Sequence, residues 1–253
     1  MPDPTVSIVI LNYFHPEVIE KCVRTLAMTE GVDYEVVVVD NGSDQATLDQ
    51  VRAFRDEGLI DTLVENPVNS MFSGGNNIGV AHTNPASEYI LLLNSDVAFI
   101  RGDWLTKMLG WMEGTAEWKP CVWDFHPSQP RPGPRDIVSI GWSHDVNVQP
   151  GMARPEGWCI MYRRSVWQDM SEDFPWYYGF EEQVGTIVRA GARCGVLFNY
   201  APYLVHREGA SGRAREEIVN KRTPDMPGWL GGADIETIDF KLGPNEHDSY
   251  LSW

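Results

Sequence analysis

Five positions in this 253-residue chain combine residue type and setting in a way that could do chemistry: Asp40, Asp96, the pair Glu181-Glu182, and His206. Asp96 closes the tripeptide Asn94-Ser95-Asp96, directly after the apolar run Tyr89-Ile90-Leu91-Leu92-Leu93. A carboxylate held at the end of a buried strand is a rigid, hard oxygen ligand suited to Mn²⁺ or Mg²⁺. The same tripeptide also has the composition of a plain turn that caps the next element. Asp40 follows Glu35-Val36-Val37-Val38-Val39. It could accept the imide N–H of uracil or thymine or a ribose hydroxyl, or serve as a turn-former before Asn41-Gly42. Glu181-Glu182 opens a helical stretch, where acids are favoured by the helix dipole. One of the pair could also act as a general base, its pKa raised by the rings of Trp176, Tyr177, Tyr178 and Phe180, which would double as a sugar-stacking wall. His206 ends an apolar stretch and is either a metal ligand or a structural histidine.

The elements that must hold these residues follow from hydrophobic period. Val6 to Leu11 is almost wholly apolar, as in a parallel strand buried on both faces. Pro16 sits at a helix's first turn, and Val18, Ile19, Cys22, Val23 and Leu26 then recur at helical spacing. A second strand runs from Glu35 and is ended by Asp40, and Asn41 to Asp44 form a turn. Leu48, Val51 and Phe54 mark the next helix, and Asp61 to Glu65 reads as a shorter strand. Gly74-Gly75-Asn76-Asn77 opens a brief helix through Ala81, Tyr89 to Leu93 forms a fourth strand, and Trp104 to Met112 a further helix. The Gly74–Gly79 cluster could bring backbone N–H groups close to a nucleotide. It is not G-x-G-x-x-G and does not follow the first strand, so the dinucleotide fingerprint is absent.

This alternation predicts an α/β fold with a parallel sheet and right-handed crossovers, whose ligands bind beyond the carboxyl ends of the strands. Asp40 and Asp96 both stand at such ends. Further on, residues 126–135 read as a proline-rich loop, Gly157 to Tyr162 as a strand, and Glu181 to Ala190 as a helix ended by Gly191. Arg193 to Asn199 and Tyr203 to His206 are strand-like, and no regular structure is expected from Arg207 onward. The expected organisation is 1–115 as a donor-binding half, 116–206 as the acceptor-binding and catalytic half of the same domain, and 207–253 as a tail or lid.

Bulk properties narrow the function classes. The formal net charge of −16 argues against nucleic acid as a partner, whereas a divalent cation would reconcile an acidic protein with a diphosphate. The four cysteines lie far apart, without a C-x-x-C pair, which disfavours a zinc site or a disulfide framework and fits reduced thiols. No leader and no apolar run of bilayer length is evident, so the expected location is the cytoplasm, with visits to the inner face of the membrane if the acceptor is lipid-linked.

Taken in order, the blocks Ser7-Ile8-Val9-Ile10-Leu11-Asn12-Tyr13, Val38-Val39-Asp40-Asn41-Gly42-Ser43, Phe72-Ser73-Gly74-Gly75-Asn76-Asn77-Ile78-Gly79 and Leu92-Leu93-Asn94-Ser95-Asp96, followed by Phe180-Glu181-Glu182 and His206, resemble the family-2 glycosyltransferases of GT-A fold, and within them the rhamnosyltransferase-like bacterial group. The resemblance spans roughly Val6 to Ser211. It implies a Rossmann-like, mostly parallel central sheet flanked by helices, with a smaller mixed region on the acceptor side. It further implies transfer of a hexosyl or rhamnosyl residue from a UDP- or dTDP-linked sugar to a hydroxyl of a glycan or glycolipid, as in polysaccharide biosynthesis. By the same resemblance Asn12, Tyr13 and Asp40 line the base pocket, and Asn76, Asn77 and Ser95 lie along the donor. Trp158 faces donor sugar and acceptor, with Trp176, Tyr177 and Tyr178 on the acceptor side. Asp96 and His206 bind the metal, Mn²⁺ or Mg²⁺, and Glu182, with Glu181 beside it, is the base of a single displacement with inversion.

The chain departs from the pattern at three places. Asn94 replaces the first acid of D-x-D, Met71 stands where the pattern usually has glycine, and Glu181-Glu182 replaces Glu-Asp. The last change moves the base carboxylate by one methylene, enough to alter rate or acceptor geometry. Two other classes stay open from the residues alone. One is a carbohydrate- or nucleotide-sugar-binding protein without turnover. The other is a nucleotidyltransferase or oxidoreductase, disfavoured because Asn12-Tyr13-Phe14-His15-Pro16 contains no glycine after the first strand.

Overall fold

A strand apolar on both sides must be covered on both faces, and β1 (Val6–Asn12) meets that demand at the centre of the sheet. The computed structural model describes residues 3–115, 121–123, 137–143, 155–173, 179–190, 192–197 and 203–207. β1 pairs in parallel with β2 (Tyr34–Asn41) on one side and β4 (Tyr89–Asn94) on the other, and β3 (Thr62–Asn66) extends the sheet beyond β2. The helices α1 (Pro16–Leu26), α2 (Gln45–Asp56) and α3 (Met71–Ala81) alternate with these strands.

Beyond β4 the sheet turns mixed. β8 (Cys159–Arg163) runs antiparallel to β4, β7 (Ile137–Trp142) antiparallel to β8, β9 (Arg193–Leu197) parallel to β7, and β6 (Cys121–Trp123) antiparallel to β9. Among the described residues this gives one eight-stranded sheet in the order β3-β2-β1-β4-β8-β7-β9-β6. A second, two-stranded sheet pairs β5 (Val97–Phe99) antiparallel with β10 (Leu204–His206). α4 (Trp104–Met112) and α5 (Gly179–Arg189) complete the described α-helices. The architecture is the GT-A arrangement expected: parallel on the β3-β2-β1-β4 side, mixed on the other.

The core lies on both faces of the sheet. One layer gathers Ile8, Ile10, Val36, Val38, Leu91 and Leu93 with Ile19, Cys22 and Trp104; the other gathers Val9, Ile90, Leu92, Ile160 and Tyr162 with Val184 and Ile187. Alternate residues of the same strands serve opposite layers, as the period of two requires.

Several boundaries differ from the expected ones. β2 runs through Asn41, one residue past the end expected at Asp40. α3 starts at Met71, three residues before the glycine pair. Met71 takes φ +60°, a left-handed conformation, which explains why this position suits glycine. β8 starts at Cys159, leaving Gly157-Trp158 in a turn before it. β5, β6 and β7 were not expected. The proline-rich stretch 126–135, Gly191, residues 198–199 and everything after Arg207 fall outside the described residues.

Candidate active site

Chain order β1-β2-β3 builds outward on one side of β1, and β4 then returns to its other side. The carboxyl ends of β1 and β4 therefore flank a topological switch point, where such sheets bind ligands. Asn12 ends β1, beside Asp40 in the β1–β2 register, and Leu11 lies opposite Asn94.

At the β1–β2 side, Asn12 donates through Nδ2 to Asp40 Oδ2 at 2.8 Å, and the Ser43 amide donates to Asp40 Oδ1 at 3.0 Å. The Phe14 amide donates to Ser43 Oγ at 2.8 Å, which ties the end of β1 to the turn after β2. Asn12 and Asp40 are buried, and Asn12 Oδ1 accepts no hydrogen bond. Tyr13 is half-buried, its ring edge-on to Phe14 at 4.6 Å. Phe14 and His15 both have left-handed φ values, 54° and 56°, so the backbone leaving β1 is strained where it borders this pocket.

Asn41, read in the sequence only as a turn residue, clamps the entry to α3. Its Oδ1 accepts from the Ser70 amide and from Asn66 Nδ2, both at 2.9 Å, while its Nδ2 donates to Asn69 Oδ1 at 2.9 Å and to the Met71 carbonyl at 3.2 Å. Nothing in its sequence context distinguishes it from an ordinary Asn-Gly turn.

The glycine-rich helix has a packing explanation. A Cβ on Gly79 would lie 2.3 Å from Val9 Cγ1 and 3.1 Å from Val39 Cγ2, and one on Gly75 would lie 2.5 Å from Leu11 Cδ1. Spaced by four on one face, the two glycines let α3 sit directly on β1 and β2. Asn76 donates to the Phe72 carbonyl within its own helix at 2.9 Å. Asn77 reaches across to Met170, donating to its carbonyl and accepting from its amide, both at 2.9 Å. It thereby fastens the segment after β8 to α3, while Gln183 on α5 donates to the neighbouring Gln168 carbonyl.

At the β4 side, Asn94 ends the strand and Ser95 and Asp96 make the turn to β5, with Ser95 half-buried. The antiparallel β5–β10 pair places His206 opposite Val97, and the Arg207 amide donates to the Asp96 carbonyl at 2.9 Å. This register brings His206 Nε2 to 3.3 Å from Asp96 Oδ1, with both side chains only 7% exposed. Asp96 Oδ1 is buried and accepts no hydrogen bond. A buried carboxylate oxygen in that state is costly without a cationic neighbour. Its charge reaches α1 below: burial pushes the Cys22 thiol pKa up, and the Asp96 carboxylate adds to that rise.

The pair fits a hard divalent cation. It offers one carboxylate oxygen and one imidazole nitrogen, and neighbouring ligands of an octahedral ion at about 2.1 Å stand about 3 Å apart. Among the described residues no cluster of three or more His, Cys, Asp or Glu side chains surrounds such a point. Two protein ligands leave the remaining positions to water or to phosphate oxygens.

Trp158 lies flat on His206, with ring centroids 4.6 Å apart and planes 15° apart, and Phe180 packs on Gly157, where an added Cβ would meet the ring at 2.9 Å. Asp96, His206, Trp158 and the start of α5, which carries the half-buried Glu181 and Glu182, are thus joined through successive contacts. Trp176, Tyr177 and Tyr178 fall outside the described residues.

Comparison with known proteins agrees with this architecture. The family model described as glycosyl transferase family 2 matches residues 7–169. No curated protein matches the chain. Among solved structures, the mannosyltransferase PcManGT from Pyrobaculum calidifontis, in complex with GDP-Man and Mn²⁺, superposes with a TM-score of 0.58 at 16% identity over 78% of this chain and 57% of that one. TarS 1–349 from S. aureus in complex with UDP gives 0.54 at 18% identity over 79% and 59%, and its complex with UDP-GlcNAc 0.53 at 17% over 81% and 59%. The chain therefore spans a little under three fifths of the length of these structures.

Proposed function

The chain belongs to glycosyl transferase family 2, and from that premise we propose that it transfers a sugar from a nucleoside-diphosphate donor to a hydroxyl of a glycan or lipid-linked glycan. The observation that carries the reading is the approach of Asp96 Oδ1 and His206 Nε2 to 3.3 Å at the switch point of the sheet. Structural neighbours hold GDP-Man with Mn²⁺ in one case and UDP or UDP-GlcNAc in another, which supports a nucleotide-sugar donor of this general class. We favour a UDP- or dTDP-linked hexose or rhamnose, since uracil and thymine offer the same imide edge to the Asn12–Asp40 pair.

In this mechanism the base lies against Tyr13 and meets Asn12 and Asp40, whose internal hydrogen bond fixes both groups before the donor arrives. The donor passes Ser95 toward the β4 end. Asp96 and His206 would hold Mn²⁺ or Mg²⁺, which would supply charge neutralisation at the diphosphate leaving group. Glu182 accepts the proton of the acceptor hydroxyl as that oxygen attacks the anomeric carbon, inverting its configuration. Trp176, Tyr177 and Tyr178 are assigned to the acceptor side, and Glu181 supports the base. No described helix is long and apolar enough to cross a membrane.

Donor hydrolysis tests the reading without knowledge of the acceptor. Release of nucleoside diphosphate from a sugar nucleotide, dependent on Mn²⁺ and lost on Asp96→Ala, supports an enzyme. Tight nucleotide-sugar binding with no turnover on water or any acceptor would favour a binding protein instead. Retention of anomeric configuration in the product would eliminate single displacement by Glu182.

A further inference from the structure

His206 ends a three-residue strand whose described pairing is with β5 alone, a frame that leaves much of the imidazole's orientation to its surroundings. The indole of Trp158 provides it. Its face lies against the imidazole at 4.6 Å and 15°, which restricts the ring to a plane in which Nε2 meets Asp96.

The indole is itself fixed. Its Nε1–H donates to Glu156 Oε2 at 2.8 Å, and the other carboxylate oxygen of Glu156 accepts from Ser143 Oγ at 2.9 Å. Both supports are anchored by backbone, since the Glu156 amide donates to the Trp142 carbonyl at 2.9 Å and the Ser143 amide to the Leu197 carbonyl at 3.0 Å. The Trp158 carbonyl meanwhile accepts from the Asn94 amide at 2.8 Å. Trp158 thus contacts His206 through its ring and, through its carbonyl, Asn94 at the end of β4, two residues before Asp96. Trp158 is 4% exposed, so its indole is held within the protein's packing.

We propose that Trp158, oriented by Glu156 and Ser143, is a positioning residue that sets the His206 imidazole toward Asp96. The proposal rests on the metal-binding part of the function above. Partners that orient metal-ligating histidines typically change metal affinity about 10–100-fold when removed.

The test uses the full chain with ¹³C-labelled histidine. The His206 ring signal is assigned as the one absent from His206→Gln, and the other five histidines report folding. In the native protein the His206 signal stands upfield, displaced by the indole ring current, and is among the first broadened by added Mn²⁺. Trp158→Ala and Glu156→Ala should both remove the displacement and raise the Mn²⁺ concentration needed for broadening about tenfold. Trp158→Phe, which keeps a stacking ring, should retain most of both effects. In a His206→Gln background, with Mn²⁺ affinity read from the free-ion electron paramagnetic resonance signal, Trp158→Ala should weaken binding no further. An unchanged His206 signal in Trp158→Ala and Glu156→Ala, or additive losses in the double variant, would overturn the proposal. If Mn²⁺ broadens no histidine in the native protein, the metal-dependent reaction falls. The ring-current displacement would then still decide whether Glu156 and Trp158 hold the imidazole.

Discussion

Gly79→Ala separates two uses of the glycine-rich helix: seating α3 on the sheet, or baring its backbone to a nucleotide. The new methyl would lie 2.3 Å from Val9 Cγ1, 3.1 Å from Val39 Cγ2 and 3.6 Å from Val9 Cβ. Carbon atoms pack at about 3.5–4.0 Å, so α3 and β1 must separate by roughly an ångström, or Val9 must leave its rotamer. Val9 and Val39 are wholly buried on adjacent central strands, so neither yields easily. Overpacking of this kind costs about 1–3 kcal/mol, against which alanine recovers about 1 kcal/mol of helix propensity. The expected net loss is up to about 2 kcal/mol.

Val9→Ala removes the clashing methyl and leaves the 3.6 Å approach to Cβ, an ordinary contact. Alone it should cost about 2 kcal/mol, from two buried methyl groups and the space they vacate. In the double variant each change relieves the other, so the combined loss should fall about 1–2 kcal/mol short of the sum. Urea unfolding followed by circular dichroism measures all four corners of the cycle. A Gly79→Ala protein more stable than the native one, or strictly additive losses, would refute the packing account.

Other consequences follow from the same geometry. Asn77→Ala removes both hydrogen bonds to Met170 and should cost about 1–3 kcal/mol, with faster hydrogen exchange at the Met170 amide; unchanged protection there would contradict the clamp. Burial pushes the thiol pKa values of Cys22, Cys159 and Cys194 up, that of Cys194 to about 12, so mass spectrometry should find these three alkylated at pH 8 only after unfolding. The Thr47 amide, and then its hydroxyl, hold the Asp44 carboxyl below its ordinary pKa. Because the folded value is the lower one, the cap's contribution is complete above the unfolded pKa of about 3.9 and fades as pH falls through the folded value. Asp44→Asn should therefore flatten the acid end of the stability curve while keeping the cap, and an unaltered acid limb would argue against that linkage.

Much of the parallel half was legible in the sequence because each element there carries its own signal. β1, β2 and β4 are each built on a long apolar run, and α1 and α4 have the bounds expected from helical spacing, Pro16–Leu26 and Trp104–Met112. β5 carried no such signal: three residues after a turn become a strand only because β10, over a hundred residues later, pairs with them. β7 joins the sheet through β8 and β9 in the same non-local way. The start of α3 was misplaced because a left-handed Met71 defies the usual reading of methionine. At the candidate site, Asp96 and His206 were paired by family resemblance, and the β5–β10 register supplies the physical reason that they meet. Asn41 and Glu156 were missed because their value lies in contacts with distant segments, which local composition does not announce.

The most direct test of the central claim is a thermal-shift panel of UDP, dTDP, GDP and CMP, each with and without Mn²⁺, on the native chain and on Asp96→Ala. Ligand at about 100 times its Kd stabilises a folded protein by about 2.7 kcal/mol, well within the reach of this measurement. The account predicts that one uracil or thymine nucleotide raises the Tm, that Mn²⁺ enlarges the rise, and that Asp96→Ala abolishes the Mn²⁺-dependent part. No response to any nucleotide, or a response identical without Mn²⁺ and in Asp96→Ala, would contradict it.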